Sequence, residues 1–227
     1  MSDHAPVLRC IFSFLPEFFI ATCDSFSIYF WVRSISFFPY DTSPPLLSLK
    51  ENTMNSQICS NRLTFTKLAL SDWELIRSIY SNPTLMAHIG PTMSEEAIRS
   101  NFEKELAPWS TDATHWLTWI IRETDTGNDI GLISICTRDR EKLTAETGFI
   151  LLEAAKGKGY ATEALTCIMN FAATTYGFQK FTAVCSEEHI SSRRVLEKAG
   201  MTLDKIVPDS TEINGKMVND CFYSLER

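Results

Sequence analysis

From Arg62 onward, apolar and polar positions along the chain fall into regular periods. Leu63 to Leu68 alternates apolar and polar residues as a half-buried strand does. Ser71-Asp-Trp-Glu74 has the form of a capping box and predicts a helix through about Tyr80, ended by Asn82-Pro83. Ser94-Glu-Glu-Ala97 opens a second helix, acidic in its first turn, which runs to about Leu106 before Pro108. Trp116 to Arg122 and Ile130 to Thr137 flank the turn-rich Asp125-Thr-Gly-Asn-Asp129, a hairpin signal, and Thr144 to Leu152 adds a third strand. Ala161, Ala164, Leu165, Ile168, Met169 and Ala172 then recur at three- and four-residue spacing, one face of a helix that Gly177 stops after Tyr176. A strand over Phe181 to Cys185 and a helix over Ser191 to Lys198, stopped by Gly200, follow. Met201 to Val207 and Cys221 to Leu225 complete the pattern, with Asn214-Gly215 as a turn between them. These elements predict a mixed α/β (α+β) fold: a mostly antiparallel central sheet flanked by helices.

The first fifty-three residues do not share this pattern. They hold eight of the fifteen phenylalanines, with much of the remainder Ser and Pro. Ile11 to Val32 is apolar, but Glu17 and Asp24 lie inside it and Pro16 interrupts it, which disfavours a membrane span. No clear small-residue cleavage site follows, which disfavours a signal peptide. Three readings stand for residues 1–53: a membrane-associated leader, an additional packed element, or sequence upstream of a natural start at Met54. On the last reading a chain beginning at Met54 keeps full activity. Residues 54–227 are the organised domain, with no membrane association expected of them.

Composition narrows the classes further. A hydrophobic fraction of 44% beside 22% charged residues is that of a globular protein. The formal net charge of −7 argues against a general nucleic-acid binder. Seven dispersed cysteines without a Cys-x-x-Cys pair read as reduced thiols in a cytoplasmic protein, so neither a disulfide frame nor a metal site is expected.

The chemistry begins at Gly157-Lys-Gly159, between a strand and the helix that follows it. A glycine turn opening a helix exposes unpaired backbone N–H groups at the positive end of the helix dipole, and the missing side chains let an anionic oxygen cluster approach closely. The N–H groups from about Lys156 to Ala161 form the expected cradle, through Lys156, Gly157, Lys158, Gly159, Tyr160 and Ala161. Lys156 and Lys158 either add charge to it or are simply solvated. The loop lacks Gly-Lys-Ser/Thr, and an antiparallel meander precedes it, so neither a P-loop nor a Rossmann unit fits.

Three stretches in order carry a family resemblance. Arg62-Leu-Thr-Phe-Thr-Lys-Leu-Ala-Leu-Ser-Asp72 with Tyr80-Ser-Asn-Pro83 is the first. Ala145-Glu-Thr-Gly-Phe149 leading into Gly157-Lys-Gly-Tyr-Ala-Thr-Glu-Ala164 is the second, and Ser192-Arg-Arg-Val-Leu-Glu-Lys-Ala-Gly-Met201 the third. Over about residues 60 to 227 the chain resembles the GNAT superfamily of N-acetyltransferases, and within it the RimJ/RimL-like branch. Two positions depart from the family pattern. Ala154 stands where the family's pyrophosphate loop usually has Arg or Gln, and His189 aligns with an Asn that commonly contacts the pantetheine arm.

The resemblance implies acetyl-CoA as the acyl donor, an amine as its acceptor, a monomer or homodimer, and direct attack of the neutral amine on the thioester. It places carbonyl polarisation at a backbone N–H on the strand around Phe149, Ile150 and Leu151, and a serine near the cofactor sulfur at Ser192. Glu146 is the first candidate for the base, the alternative being an exposed strand carboxylate. Ser192 either positions the leaving sulfur or, like Ser191, caps its helix. His189 has a side chain suited to proton transfer, although a lone turn histidine is also a common structural residue. Tyr160, Trp116, Trp119 and Phe149 are expected in packing or as cleft wall.

Overall fold

The computed structural model describes Ile58 and residues 60–227. The extension over residues 1–53, and the proposed start at Met54, lie outside the described residues. Seven strands form one sheet in the order β1-β2-β3-β4-β5-β7-β6. The strands are β1 (Leu63–Lys67), β2 (Leu117–Glu123), β3 (Asp129–Asp139), β4 (Thr144–Leu151), β5 (Lys180–Ser186), β6 (Thr202–Ile213) and β7 (Lys216–Glu226). The helices are α1 (Trp73–Tyr80), the short α2 (Pro83–Met86), α3 (Glu95–Glu105), α4 (Tyr160–Tyr176) and α5 (Ile190–Lys198). Every strand pairing is antiparallel except β4 with β5.

Alternation along the central strands sends side chains to two cores. Phe65, Trp119, Ile133, Ile135, Ala145 and Leu151 face α4, whose Ala161, Ala164, Leu165, Ile168, Met169 and Ala172 pack against them. Ile120, Leu132 and Ile150 face the other way, onto Ile76, Ile79 and Tyr80 of α1 and Ile98 and Phe102 of α3. The helix stripe expected from residue spacing is therefore the buried face of α4. One glycine is required by close approach: a Cβ on Gly131 would lie 2.2 Å from the Ile150 carbonyl oxygen across the β3–β4 ladder.

Four local expectations are corrected. Ser71 does not cap α1. Leu70–Asp72 forms a 3-10 turn, in which the Asp72 carboxylate accepts from the Ala69 N–H at 2.9 Å and pairs with Arg122. Pro83 does more than end α1: with Asn82 accepting from the N–H groups of Thr84 and Leu85, it starts α2. β6 continues past Val207 to Ile213, because a register shift between Val207 and Thr211 absorbs Pro208 and Asp209 as a bulge. Finally, α5 starts one residue before Ser191, with His189 at its N-cap position and no side-chain cap, so neither Ser191 nor Ser192 caps it. Among the described residues no helix is long and apolar enough to cross a membrane, and no group of side chains is arranged to hold a metal ion. Cys136 and Cys221 are not joined in disulfides.

Candidate active site

The parallel pair creates the site. β4 and β5 are paired only over Thr144–Glu146 and Lys180–Thr182. Beyond those residues β5 keeps its partner β7 and β4 keeps β3, so the two inner edges separate toward their C-terminal ends. In a strand with one neighbour, alternate backbone N–H groups have no ladder partner and point outward. Here they point into a cleft lined by Thr147, Gly148 and Phe149 on one side and Ala183, Val184 and Cys185 on the other. Ser192 and His189 from α5, with His88 from the loop after α2, complete its walls. Of the residues expected to polarise a carbonyl, Phe149 lines this cleft. Ile150 and Leu151 turn their side chains into opposite cores; the Ile150 backbone faces β3, its carbonyl beside Gly131, so of these two only Leu151 offers a backbone N–H to the open edge.

The chain leaving β4 at this open end runs directly into the glycine turn. Gly157 (φ 78°) and Gly159 (φ 81°) are both left-handed, a region where a Cβ costs about 1–2 kcal/mol. Gly159 is the N-cap of α4, and the first return bond of the helix is Glu163 N–H to Gly159 C=O. The N–H groups of Tyr160, Ala161 and Thr162 are thereby left over at a positive helix end. The expected cradle narrows at its start. The Lys156 N–H donates to the Glu153 carbonyl, and the Lys156 ammonium pairs with the Glu153 carboxylate, so both polar groups of Lys156 are engaged outside it.

A feature not legible from the motif stabilises this turn from behind. Arg62, at the start of β1, donates to the Lys158 carbonyl at 3.1 Å and lies over the Tyr160 ring at 4.6 Å. It also forms a two-pronged pair with Glu163 (2.8 and 2.6 Å), whose carboxylate accepts from Ser60 as well. Burial works against the charge on Glu163, yet these bonds hold its carboxyl below the ordinary range. A neutralised Glu163 leaves the helix end favourable to an anion. Tyr160 serves as packing, its hydroxyl bonded to Glu123.

On the face covered by α1–α3, Glu146 is buried rather than exposed on the strand surface. Arg138 donates to it at 2.5 Å and stacks over Trp116 at 5.3 Å. A second carboxylate lies deeper. Glu105, at the last turn of α3, is 5% exposed and accepts from the Thr118 hydroxyl at 2.6 Å, and Thr118 in turn bonds Ser134 at 2.7 Å. No ion pair offsets Glu105 among the described residues, and burial lifts its carboxyl to about 8 against the weaker opposing effect of Thr118. Burial likewise pushes the Cys136 thiol up, and it pushes Tyr80 well above the phenolic range with Glu105 adding to the effect. Glu105 was not among the expected site residues. The signal was present, because Ile98, Phe102 and Glu105 are spaced i, i+4, i+7 and place the acid on the core stripe of α3.

His189 and Ser192 both face the cleft. The His189 ring stacks on His88 with centroids 4.6 Å apart and planes 18° from parallel, so an α5 residue meets the helical layer on the opposite side of the opening. The structure thus gathers Phe149, His189 and Ser192 at one cleft, and the Gly157–Ala161 turn follows the C-terminal end of β4. Glu146 stands at the cleft's narrow end, where β4 and β5 are still paired.

A sheet that splits between two parallel strands, with a helix N-terminus after each, suits a long ligand with an anionic end and a carbonyl in the cleft. Comparison with known proteins gives that architecture its family. The model of the acetyltransferase (GNAT) domain matches residues 62–202, so the chain belongs to the GNAT acetyltransferase family and is an acyltransferase. An uncharacterized N-acetyltransferase, p20 of Bacillus licheniformis, is 22% identical over 73% of this chain and 93% of its own length. Among solved structures, the RimL ribosomal L7/L12 alpha-N-protein acetyltransferase superposes with a TM-score of 0.66 at 17% identity, covering 75% of this chain and 94% of that one. Spermidine N-acetyltransferase from Vibrio cholerae, solved with CoA and spermine, gives 0.65 at 18% identity over 74% and 96%.

Proposed function

We propose that this chain is a RimJ/RimL-like N-acetyltransferase that moves the acetyl group of acetyl-CoA directly to a primary amine. The observation that carries this reading is the split between β4 and β5, with the Gly157-Lys-Gly159 turn and the free N–H groups of α4 at its open end. The turn holds the pyrophosphate and the pantetheine arm threads the cleft past His189. The thioester carbonyl accepts from a backbone N–H on the free edge of β4 around Phe149. Relatives support the donor, since structures of similar fold were solved with CoA or acetyl-CoA. The acceptor approaches from the side of α1–α3, and is a protein N-terminus or a small amine. The free cysteines Cys136 and Cys221 suit a cytoplasmic setting.

Ser192, inside the first turn of α5 and facing the cleft, positions the sulfur of the leaving CoA, because an alcohol has little acidity of its own. Glu146 is the first candidate base, and its pairing with Arg138 makes the test decisive. If it takes the amine proton, Glu146→Gln lowers kcat by about 10²-fold and shifts the pH–rate profile, with acetyl-CoA affinity by calorimetry unchanged. An unchanged profile assigns Glu146 to holding Arg138 against Trp116, and removes it from the reaction.

A further inference from the structure

The buried chain Ser134–Thr118–Glu105 ends on a carboxylate that has no cation beside it among the described residues. We infer that it is a proton relay, carrying the acceptor's ammonium proton from the cleft at Gly148 through two hydroxyls to the Glu105 carboxylate. This rests on the acetyltransferase reading and names a proton route within it.

The geometry of the sheet supplies the path. Thr118 on β2 is the register partner of Ser134 on β3, and Ser134 is the partner of Gly148 on β4. The three residues form one row across three strands, on the face covered by α3. Its last member, Gly148, lines the cleft and carries no side chain, so the Ser134 hydroxyl stands one strand spacing, about 5 Å, from the cleft wall. At the far end Glu105 closes the row. Thr118 is 2% exposed and Ser134 6%, so bulk water does not short-circuit the chain.

The bonding order makes the row directional. An ionised Glu105 accepts only, so Thr118 donates to it. The Thr118 oxygen then accepts from Ser134, and the Ser134 oxygen keeps free lone pairs. A proton arriving at Ser134, from the amine or through one water, reverses every bond in the row. The amine N–H breaks and a Ser134 O–H forms; the original Ser134 proton passes to Thr118, and the Thr118 proton to Glu105 Oε2. The neutral amine attacks, forming C–N as C–S breaks. The second proton passes from nitrogen to the CoA thiolate, directly or by way of Glu146 where that carboxylate is the base, and Glu105 later returns its proton to solvent along the same row. One proton is released per acetyl group transferred.

An unpaired buried carboxylate is costly, and such groups concentrate at functional sites. The titratable side chains facing it are Tyr80 from α1 and Cys136 from β3; among the described residues no cation pairs with it. Its elevated proton affinity lets it exchange a proton with an amine at about pH 8, where an ordinary carboxylate holds one too weakly.

The test uses the full chain with an acceptor found by screening, at saturating acetyl-CoA. In Glu105→Gln, kcat falls about 10²-fold, the ascending limb of the kcat–pH profile near 8 disappears, and the KM for acetyl-CoA is unchanged. Thr118→Val keeps the shape and the carboxylate but interrupts the row. It gives the same loss, so a folding defect in Glu105→Gln does not hide the answer. Infrared titration of the wild type shows a carboxyl band near the same pH that Glu105→Gln lacks. Normal kcat and an unchanged profile in Thr118→Val overturn the relay while leaving acetyl transfer standing. Absence of both acetyl-CoA binding and CoA release in the wild type overturns the acetyltransferase reading, and the relay with it.

Discussion

Gly159→Glu abolishes acetyl-CoA binding, with no heat detected by calorimetry at concentrations a hundredfold above the wild-type Kd. Two effects combine. A side chain at φ 81° costs about 1–2 kcal/mol in backbone strain. The larger effect is electrostatic: a carboxylate at the α4 N-cap occupies the positive helix end that would receive the pyrophosphate. Folding survives, because an added Cβ meets nothing closer than Arg62 Nη2 at 3.6 Å, an ordinary contact. A thermal melt that falls only modestly, beside complete loss of binding, separates the two effects. Unimpaired binding of acetyl-CoA places the pyrophosphate elsewhere.

Glu105→Gln changes how stability depends on pH. The folded protein holds the Glu105 proton up to about 8, while the unfolded chain releases it near the ordinary 4.5. A raised carboxyl favours the folded state fully below 4.5, and that advantage is lost as pH rises to about 8. The loss is about 5 kcal/mol by the linkage relation. Wild type and Glu105→Gln therefore have similar stability at pH 4, and by pH 9 the variant is the more stable by several kcal/mol. Denaturant unfolding of both proteins across that window measures the difference, in which the other titrating groups cancel. A gap that stays constant with pH means that Glu105 is ionised at no unusual cost.

These two residues differ in how visible they were in the sequence. The glycine turn was legible because its conformation demands residue type: two left-handed positions in three residues leave few alternatives to glycine. Asn214-Gly215 was readable for the same reason, with both residues at positive φ (50° and 80°) in the hairpin between β6 and β7. The stripe of α4 was legible because spacing alone sets which side is buried. The parallel pairing of β4 with β5, and hence the cleft, depends on where two distant edges separate, which no local pattern encodes. Arg62 and Glu163 are 101 positions apart, and their pairing across the turn arises only once β1 and α4 are docked. Glu105 is a different case. Its position on the α3 stripe was readable, but it stands beside Glu103 and Lys104 at a helix end, where charged side chains are ordinarily solvated. His88 carried no signal of its own; its stack on His189 comes from the placement of the loop after α2.

The central claim is that this fold transfers an acetyl group, and the measurement closest to it is release of CoA thiol from acetyl-CoA across a panel of amines. The panel spans peptides with free N-termini, polyamines and simple primary amines. Thiol release exceeds the rate of acetyl-CoA hydrolysis with at least one class, at one equivalent per acetylated amine, and is absent from Gly159→Glu. Tight binding of acetyl-CoA with no amine-dependent release from any class would contradict the claim, and would make the chain a binding module on a transferase fold.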